Sequence, residues 1–164
     1  MPPNLDAYVW VADPQPSLLG GFIARYAAEG GHSARHLAAF RRAYVLGEAD
    51  GDDSALLDEL RSGDGSFTLY LKGRGPQDPI IALTCEGAAV LGLSVHAEDD
   101  LPLVIAQAEQ LLDRLREELS AEAGIAGVEL PPPRNRAEWD EQDPTVLLRF
   151  PDPAGRTSRQ PGRA

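Results

Sequence analysis

Carboxylates are the side chains with the most chemical potential in this sequence, and they cluster twice. The stretch 48–64 holds seven Asp and Glu residues against a single Arg, and a second group of four surrounds Trp139 within 138–143. Paired carboxylates can act as general acid and base, but only in a cleft that moves their pKa values apart. On loops they present a negative field that attracts a basic protein surface. The second group and the start of the first, 48–53, lie in loop-like sequence, so we expect the second role.

These groups therefore predict a partner-binding surface rather than an active site. A large aromatic side chain in a polar rim can fill a partner's pocket, which makes Trp139 the candidate for the strongest single contact. The alternative is that Trp139 holds its own loop to the domain. The predicted partner-binding residues are Asp50, Asp52, Asp53, Trp139, Asp140 and Glu141.

Metal-binding patterns occur only in incomplete form. The stretch 48–59 places carboxylates at positions 1, 3, 5 and 12 of a calcium loop. Asp53, however, stands at the sixth position, where such a loop needs glycine. His32 and His36 have the spacing of a helical zinc pair, but His32 follows two glycines and falls in a predicted loop. We predict no metal site.

Signatures of catalysis and of cofactor binding are missing from the sequence. Cys85 continues an alternating apolar pattern, which is typical of an inert, buried cysteine. No Gly-x-Ser-x-Gly elbow occurs. The Gly-x-Gly motifs at 63–65 and 73–75 do not open a strand-to-helix phosphate loop. We predict no catalytic residue and no cofactor.

The overall charge narrows the class of partner. The 164 residues carry 15 Lys and Arg against 26 Asp and Glu, a net charge of −11. Such a field repels phosphate backbones, so we predict a basic protein partner and no nucleic acid. No run approaches the roughly 18 apolar residues of a membrane span, and the first residues lack the pattern of a signal peptide. We therefore expect no membrane association and a cytoplasmic location.

The middle of the chain has the clearest structural pattern. Apolar and polar residues alternate over 66–72, 80–86 and 89–96, which predicts three strands. Their short connections favour an antiparallel meander. Residues 101–119 place apolar side chains on one face of a helix that Asp99 or Asp100 caps. We expect this helix to cover the apolar face of the meander.

The remaining patterns complete an α+β fold. It is predicted as an antiparallel β-meander sheet of about four to six strands, with the long amphipathic helix on one face and two or three shorter helices. Further strands are expected at 7–12, 125–130 and 145–150, and shorter helices at 18–28, after Ser33 and at 54–62. Residues 1–150 are predicted to form a single domain. The tail 151–164 is rich in Pro, Gly and Arg, and we expect it to be disordered.

Alternation also separates the two faces of the meander. The face expected under the long helix carries Phe67, Leu69, Leu71, Ile81, Leu83, Cys85, Leu91, Leu93 and Val95. The opposite face is small and polar, which is typical of a solvent-facing sheet or of a shallow ligand site. The candidate ligand residues on this face are Tyr70, Lys72, Thr84, Ser94 and His96.

Three functional hypotheses follow from these observations. The leading one is a non-enzymatic protein-binding module, such as an immunity-protein or antitoxin-like inhibitor of a basic partner. A second is an acidic secretion or folding chaperone, which would act as a homodimer. A third is a small-ligand binder or enzyme that uses the polar sheet face.

Overall fold

A computed structural model describes residues 3–141 and 143–151 of the chain. Its elements are, in chain order, β1 (Asn4–Val11), α1 (Pro16–Tyr26), α2 (Ala34–Arg41) continuing into a π-helical turn (Arg42–Leu46), α3 (Gly51–Asp58), β2 (Phe67–Tyr70), β3 (Asp78–Leu83), β4 (Ala89–His96), α4 (Leu101–Leu119), β5 (Ala123–Val128), α5 (Arg136–Asp140) and β6 (Val146–Phe150). The strands form one antiparallel sheet in the order β2-β3-β4-β1-β5-β6. The predicted α+β class with a β2-β3-β4 meander is confirmed.

The long helix begins and ends where the sequence indicates. Its bounds, Leu101–Leu119, coincide with the predicted range, and Asp100 is the cap, since its Oδ1 accepts the N–H of Leu103 at 3.3 Å. Pro102 lies in the first turn, where a missing N–H is harmless. The helix ends at Ser120, whose φ of 51° is left-handed. Local sequence signals alone are therefore enough to define α4.

The strand β1 occupies the centre of the sheet, a position that the sequence pattern does not reveal. It pairs antiparallel with β4 on one side and with β5 on the other. Leu5, Ala7 and Val9 point into the main core under the helices. Tyr8 and Trp10 therefore point to the opposite face, where they join a second, smaller core.

The first face of the sheet is covered by α1 to α4, but not in the predicted arrangement. The helix α4 lies on β1 and β5 and reaches β6, whereas α1 contacts β3. Phe40 of α2 packs against Phe67 of β2, with ring centroids 6.2 Å apart. The expectation that α4 covers the meander is therefore wrong. Three helices between β1 and β2 already occupy that space, and α4 connects β4 to β5 across the other half of the sheet.

The turn between β3 and β4 begins earlier than predicted, so Thr84 and Cys85 lie in the turn and not in β3. The strand β3 ends at Leu83, and the Thr84 hydroxyl then accepts the N–H groups of Glu86 and Ala88 at 3.3 and 3.0 Å. These bonds form the turn in place of further strand pairing. Cys85 is consequently exposed in the turn and is not part of the apolar face.

The second face is partly covered by residues 129–141. The sequence pattern predicts the end of a strand at 129–130 and loop structure beyond it, whereas β5 ends at Val128. Asn135 caps α5 by accepting the N–H of Glu138 at 2.8 Å. Trp139 of α5 packs on Trp10 of β1, with ring centroids 5.4 Å apart. The backbone N–H of Arg136 donates to Glu86 in the β3–β4 hairpin. This segment is thus anchored to the sheet along its length.

Two further sequence predictions concern the C-terminal tail and membrane association. Residues 152–164 of the predicted tail lie outside the described residues. Of the helices within the described ranges, none combines the length and the apolar character that crossing a bilayer requires.

Candidate functional site

The uncovered part of the second face forms a groove with two pockets. The larger pocket, of about 530 Å³, lies over β1, β3 and β4, and Asp6, Asp78 and Glu129 contribute its carboxylates. The smaller pocket, of about 360 Å³, lies beside the proline triplet 131–133. Tyr70, Leu130 and Pro131 line both pockets. The two therefore form one continuous groove that passes over Tyr70.

The sheet curls around this groove. Thr68 and Tyr70 come from β2, and Val146 and Arg149 come from β6, yet all four line the smaller pocket. These strands form the two edges of the six-stranded sheet. The edges can approach a common pocket only if the sheet is strongly twisted and its second face is concave.

Strand register brings the key side chains of the larger pocket together. Asp6 on β1 is paired with Ser94 on β4, which is paired in turn with Asp78 on β3. One register step away, Tyr8 is paired with Gly92, Gly92 with Ile80, and Ile80 with Tyr70. Neighbouring strands lie about 4.8 Å apart, so these rows form a contiguous floor.

Asp6 is the most unusual side chain in the groove. It is only 7% exposed, and its Oδ2 accepts the N–H of Leu130 at 2.9 Å. Burial raises the pKa of Asp6 above its ordinary value of 3.8, and the field of Glu129 adds to this. The Ser94 hydroxyl and the Leu130 N–H oppose the rise, because they stabilise the ionised form. A buried carboxyl with a raised pKa in a cleft is typical of a functional group.

Tyr8 is held rigidly beside Asp6. Its hydroxyl donates to the carbonyl oxygen of Leu130 at 2.5 Å, and its side chain is buried. The ring lies over Gly92, where an added Cβ would come within 2.3 Å of the Tyr8 ring and 2.5 Å of the Ala7 carbonyl oxygen. Glycine is therefore required at position 92. Burial strongly raises the pKa of Tyr8, and the Asp6 charge adds to the effect.

Tyr70 separates the two pockets and remains accessible. It is 54% exposed, which is high for a large aromatic residue on a sheet face. Its backbone carbonyl accepts the hydroxyl of Ser33 at 2.9 Å, which ties β2 to the start of α2. Partial burial raises the pKa of the Tyr70 phenol, with a further contribution from Asp6.

Taken together, these groups can bind a cation. A half-exposed aromatic ring beside carboxylates offers both a π face and a negative charge. Within the described residues, no group of three or more His, Cys, Asp or Glu side chains is arranged to hold a metal ion.

Comparisons with protein-family models, with curated proteins and with solved structures find no match to this chain.

The predicted ligand face is only partly brought together. Tyr70, Lys72 and Ser94 do line the larger pocket. Thr84 lies in the β3–β4 turn, at the end of β3 remote from Asp78, and is buried there by its own hydrogen bonds. His96 ends β4, is exposed, and lines neither pocket. Thr84 and His96, which were predicted as ligand residues, therefore do not line the groove. The turn begins at Thr84, and His96 lies beyond the end of the larger pocket.

The predicted acidic surface at 50–53 has a structural role in α3. Asp50 and Asp53 form a reciprocal capping box, in which each side chain accepts the other's backbone N–H. Asp53 also accepts two hydrogen bonds from Arg42, at 2.8 and 2.7 Å. The Arg42 guanidinium lowers the pKa of Asp53 from 3.8 to about 2. Of the three predicted residues, Asp50 and Asp52 are exposed and Asp53 is buried.

The other half of the predicted partner surface, Trp139 to Glu141, lies on the opposite side of the sheet from α3. Trp139 is only 2% exposed, so its ring cannot fill a partner's pocket in this conformation. It instead holds α5 to the sheet, as the alternative interpretation has it. Asp140 and Glu141 are exposed, and Glu141 lines the smaller pocket. The six residues therefore do not form one surface.

Sequence reasoning missed Asp6, Tyr8 and Glu129. A usable signal is present for Asp6, since a lone carboxylate between Leu5 and Ala7 interrupts an apolar strand. No signal in the sequence indicates that β1 lies beside β4, which is what brings Asp6 next to Ser94.

Proposed function

We propose that this protein is a non-enzymatic binding module that holds a basic partner protein in the groove of its second sheet face. The observation that carries the proposal is the open groove, with accessible Tyr70 at its centre and carboxylates on both sides. Polar, concave surfaces with an aromatic anchor are typical of interaction sites.

The charge of the larger pocket supports a basic partner. Asp6, Asp78 and Glu129 face one exposed lysine, Lys72, and the rim histidine His32. None of the three carboxylates forms an ion pair within the described part of the chain. A partner's cationic side chain would therefore meet carboxylates that are not already held in an ion pair.

The experiment begins with capture of partners from the native host by the full-length chain. Wild type is compared with Tyr70→Ala and Glu129→Gln in the groove. Glu109→Gln is the matched control, because it removes the same charge from the exposed side of α4. We expect a basic protein that wild type and Glu109→Gln retain and that the groove variants lose.

Binding kinetics with the purified partner then test the mechanism. The association rate should fall with added salt, because exposed charges beyond about 8 Å are screened at 0.15 M. Glu129→Gln should lower the association rate more than Glu109→Gln. An acidic partner, or equal retention by all variants, would overturn the proposal.

The same partner distinguishes the two protein-binding hypotheses. An immunity-type or antitoxin-like inhibitor abolishes the partner's enzymatic activity at equal stoichiometry. A chaperone-like homodimer instead raises the yield of folded partner and elutes at twice the chain mass in size-exclusion chromatography. Neither result would disturb the placement of the partner in the groove.

A small-ligand function is the second candidate, and it is favoured by the cluster of Asp6, Tyr8 and Tyr70. Three groups with raised pKa values lie together in one pocket, which is a pattern of ligand-binding and catalytic sites. Calorimetric titration with arginine amide and with putrescine tests this candidate directly. Saturable binding that Asp6→Asn abolishes would favour it, and heats equal to those of the Asp6→Asn variant would exclude it.

A further inference from the structure

The two pockets of the groove differ in how their charges are balanced. In the smaller pocket, Glu138 is paired with Arg134 at 2.9 Å, and Arg149 donates to the carbonyl oxygens of Trp139 and Glu141 at 2.8 and 3.0 Å. The carboxylates of the larger pocket have backbone donors instead. Asp78 accepts the N–H of Gly73 at 2.8 Å, and Glu129 accepts that of Asn4 at 2.6 Å. The larger pocket sets three carboxylates against Lys72 and His32, whereas the smaller one sets Arg134 and Arg149 against Glu138, Glu141 and Asp143. Negative charge is therefore less fully balanced in the larger pocket.

The charge imbalance of the larger pocket includes a buried carboxylate, Asp6. It lines the larger pocket, is more than nine-tenths buried, and has no cationic partner among the described residues. A buried carboxylate without a countercharge is unfavourable, so a ligand cation that enters the pocket gains by neutralising it. The position therefore points to a ligand that carries a positive charge at this end.

Tyr70 indicates which cation fits. Its accessible ring lines the larger pocket together with the Asp6 and Glu129 carboxylates. A planar guanidinium can stack on such a ring and donate in its own plane to carboxylates, whereas an ammonium acts as a point charge. An arginine side chain can therefore contact both the ring and the carboxylates of the pocket.

The smaller pocket offers a different environment. Its lining combines apolar surface at exposed Pro131 and half-buried Val146 with the Arg134–Glu138 ion pair and with Glu141, Asp143 and Arg149. An apolar side chain gains by covering this surface, since its burial removes apolar area from water. Because Tyr70 and Pro131 line both pockets, one extended segment can occupy the two at once.

We propose that the groove binds an extended segment of the basic partner, with an arginine side chain in the larger pocket and an apolar side chain in the smaller one. This inference rests on the proposed function and specifies the ligand for the same site. It commits to two chemically different side chains separated by the Tyr70 ring.

Fluorescence anisotropy with short labelled peptides tests this arrangement on the full-length chain. The probes carry Arg and Leu separated by zero to three Ala, in both orders, with blocked termini. In the tightest-binding peptide, replacing Arg by neutral citrulline should weaken binding about tenfold or more. Replacing Leu by Ala should weaken it less.

Protein variants assign each loss to its pocket. Glu129→Gln should weaken binding of the Arg peptide but not of the citrulline peptide, because the coupled pair is already broken. Tyr70→Phe should keep the affinity and Tyr70→Leu should lose it, since only the ring can stack. Position 70 is half exposed, so both variants should fold. Glu109→Gln should leave every peptide affinity unchanged.

The outcomes separate this inference from the proposed function. Equal binding of Arg and citrulline peptides, or equal weakening by Glu129→Gln and Glu109→Gln, overturns the two-pocket arrangement. If no peptide binds while the groove variants still lose the captured basic partner, the arrangement is wrong and the proposed function stands. If capture is also indifferent to the groove variants, both fail.

Discussion

The two faces of the sheet bury different kinds of side chain. Among the described residues, the first face and its helices form a core of 28 buried apolar or aromatic residues, whereas the second face buries only seven residues of this kind. The second face also holds Asp6, whose burial raises its pKa. An apolar face is closed by helices and stabilises the fold. A face that keeps unbalanced polar groups beside an open groove is instead suited to binding.

The largest expected effect lies on the first face. Leu112 of α4 is 2% exposed and sits over β5, where its Cδ2 lies 2.9 Å from the position of a Cβ at Gly124. Leu112→Ala should lower the free energy of unfolding by about 2–5 kcal/mol, measured by denaturant titration. Leu103→Ala is the control, because Leu103 is 51% exposed on the same helix. A difference of less than about 0.5 kcal/mol between the two variants would show that α4 is misplaced.

A smaller global effect is expected for the segment on the second face. Trp139→Ala removes the contact with Trp10, but α5 has only five residues and can detach while the sheet stays folded. We expect faster hydrogen exchange at the amides of Trp139 and Glu141, with a global loss of stability below that of Leu112→Ala. Global unfolding as large as that of Leu112→Ala would mean that the two faces unfold as one unit.

Two carboxylates should show opposite dependence on pH. Arg42 lowers the folded-state pKa of Asp53 from 3.8 to about 2, so this residue stabilises the fold above pH 3.8. That contribution is lost as the pH falls towards about 2. Asp53→Asn should therefore lower the stability at neutral pH and have little effect at the acid end. An unchanged stability at pH 7 would contradict this.

Asp6 should behave in the reverse sense. Its folded-state pKa is raised above 3.8, so ionised Asp6 disfavours folding above that pKa and the penalty disappears as the pH falls below 3.8. Asn can still accept the N–H of Leu130, so Asp6→Asn should keep or raise the stability at pH 7. Denaturant titrations of both variants from pH 2 to pH 7 check the two signs. A large loss in Asp6→Asn at pH 7 would indicate a structural role instead of a binding one.

Elements with strong local signals were predictable from the sequence. Asp100, Pro102 and the apolar repeat define α4 within one stretch, and alternation defines β4 with its observed bounds. Their signals are local because capping and periodicity depend on neighbours a few residues apart. The basic partner inferred from the acidic composition stays a prediction.

Other local features depend on side-chain hydrogen bonds that composition does not reveal. Thr84 ends β3 by bonding within its own turn, and Asn135 caps a five-residue helix in a stretch that is typical of a loop. Trp139 has charged neighbours in the sequence, which is typical of a surface contact. In the structure it packs on the Trp10 ring and is buried.

The groove itself was decided only by the tertiary structure. The sequence by itself determines an acidic α+β chain, the meander, the long helix and Tyr70 as the one aromatic residue on the meander's polar face. It does not determine that β1 enters between β4 and β5, because strand pairing over about 80 to 120 residues leaves no local pattern. That insertion places Asp6 and Tyr8 beside Ser94 and Gly92, and the return of Leu130 across the sheet buries them. The raised pKa of Asp6 and the pocket around it exist only because these distant segments meet.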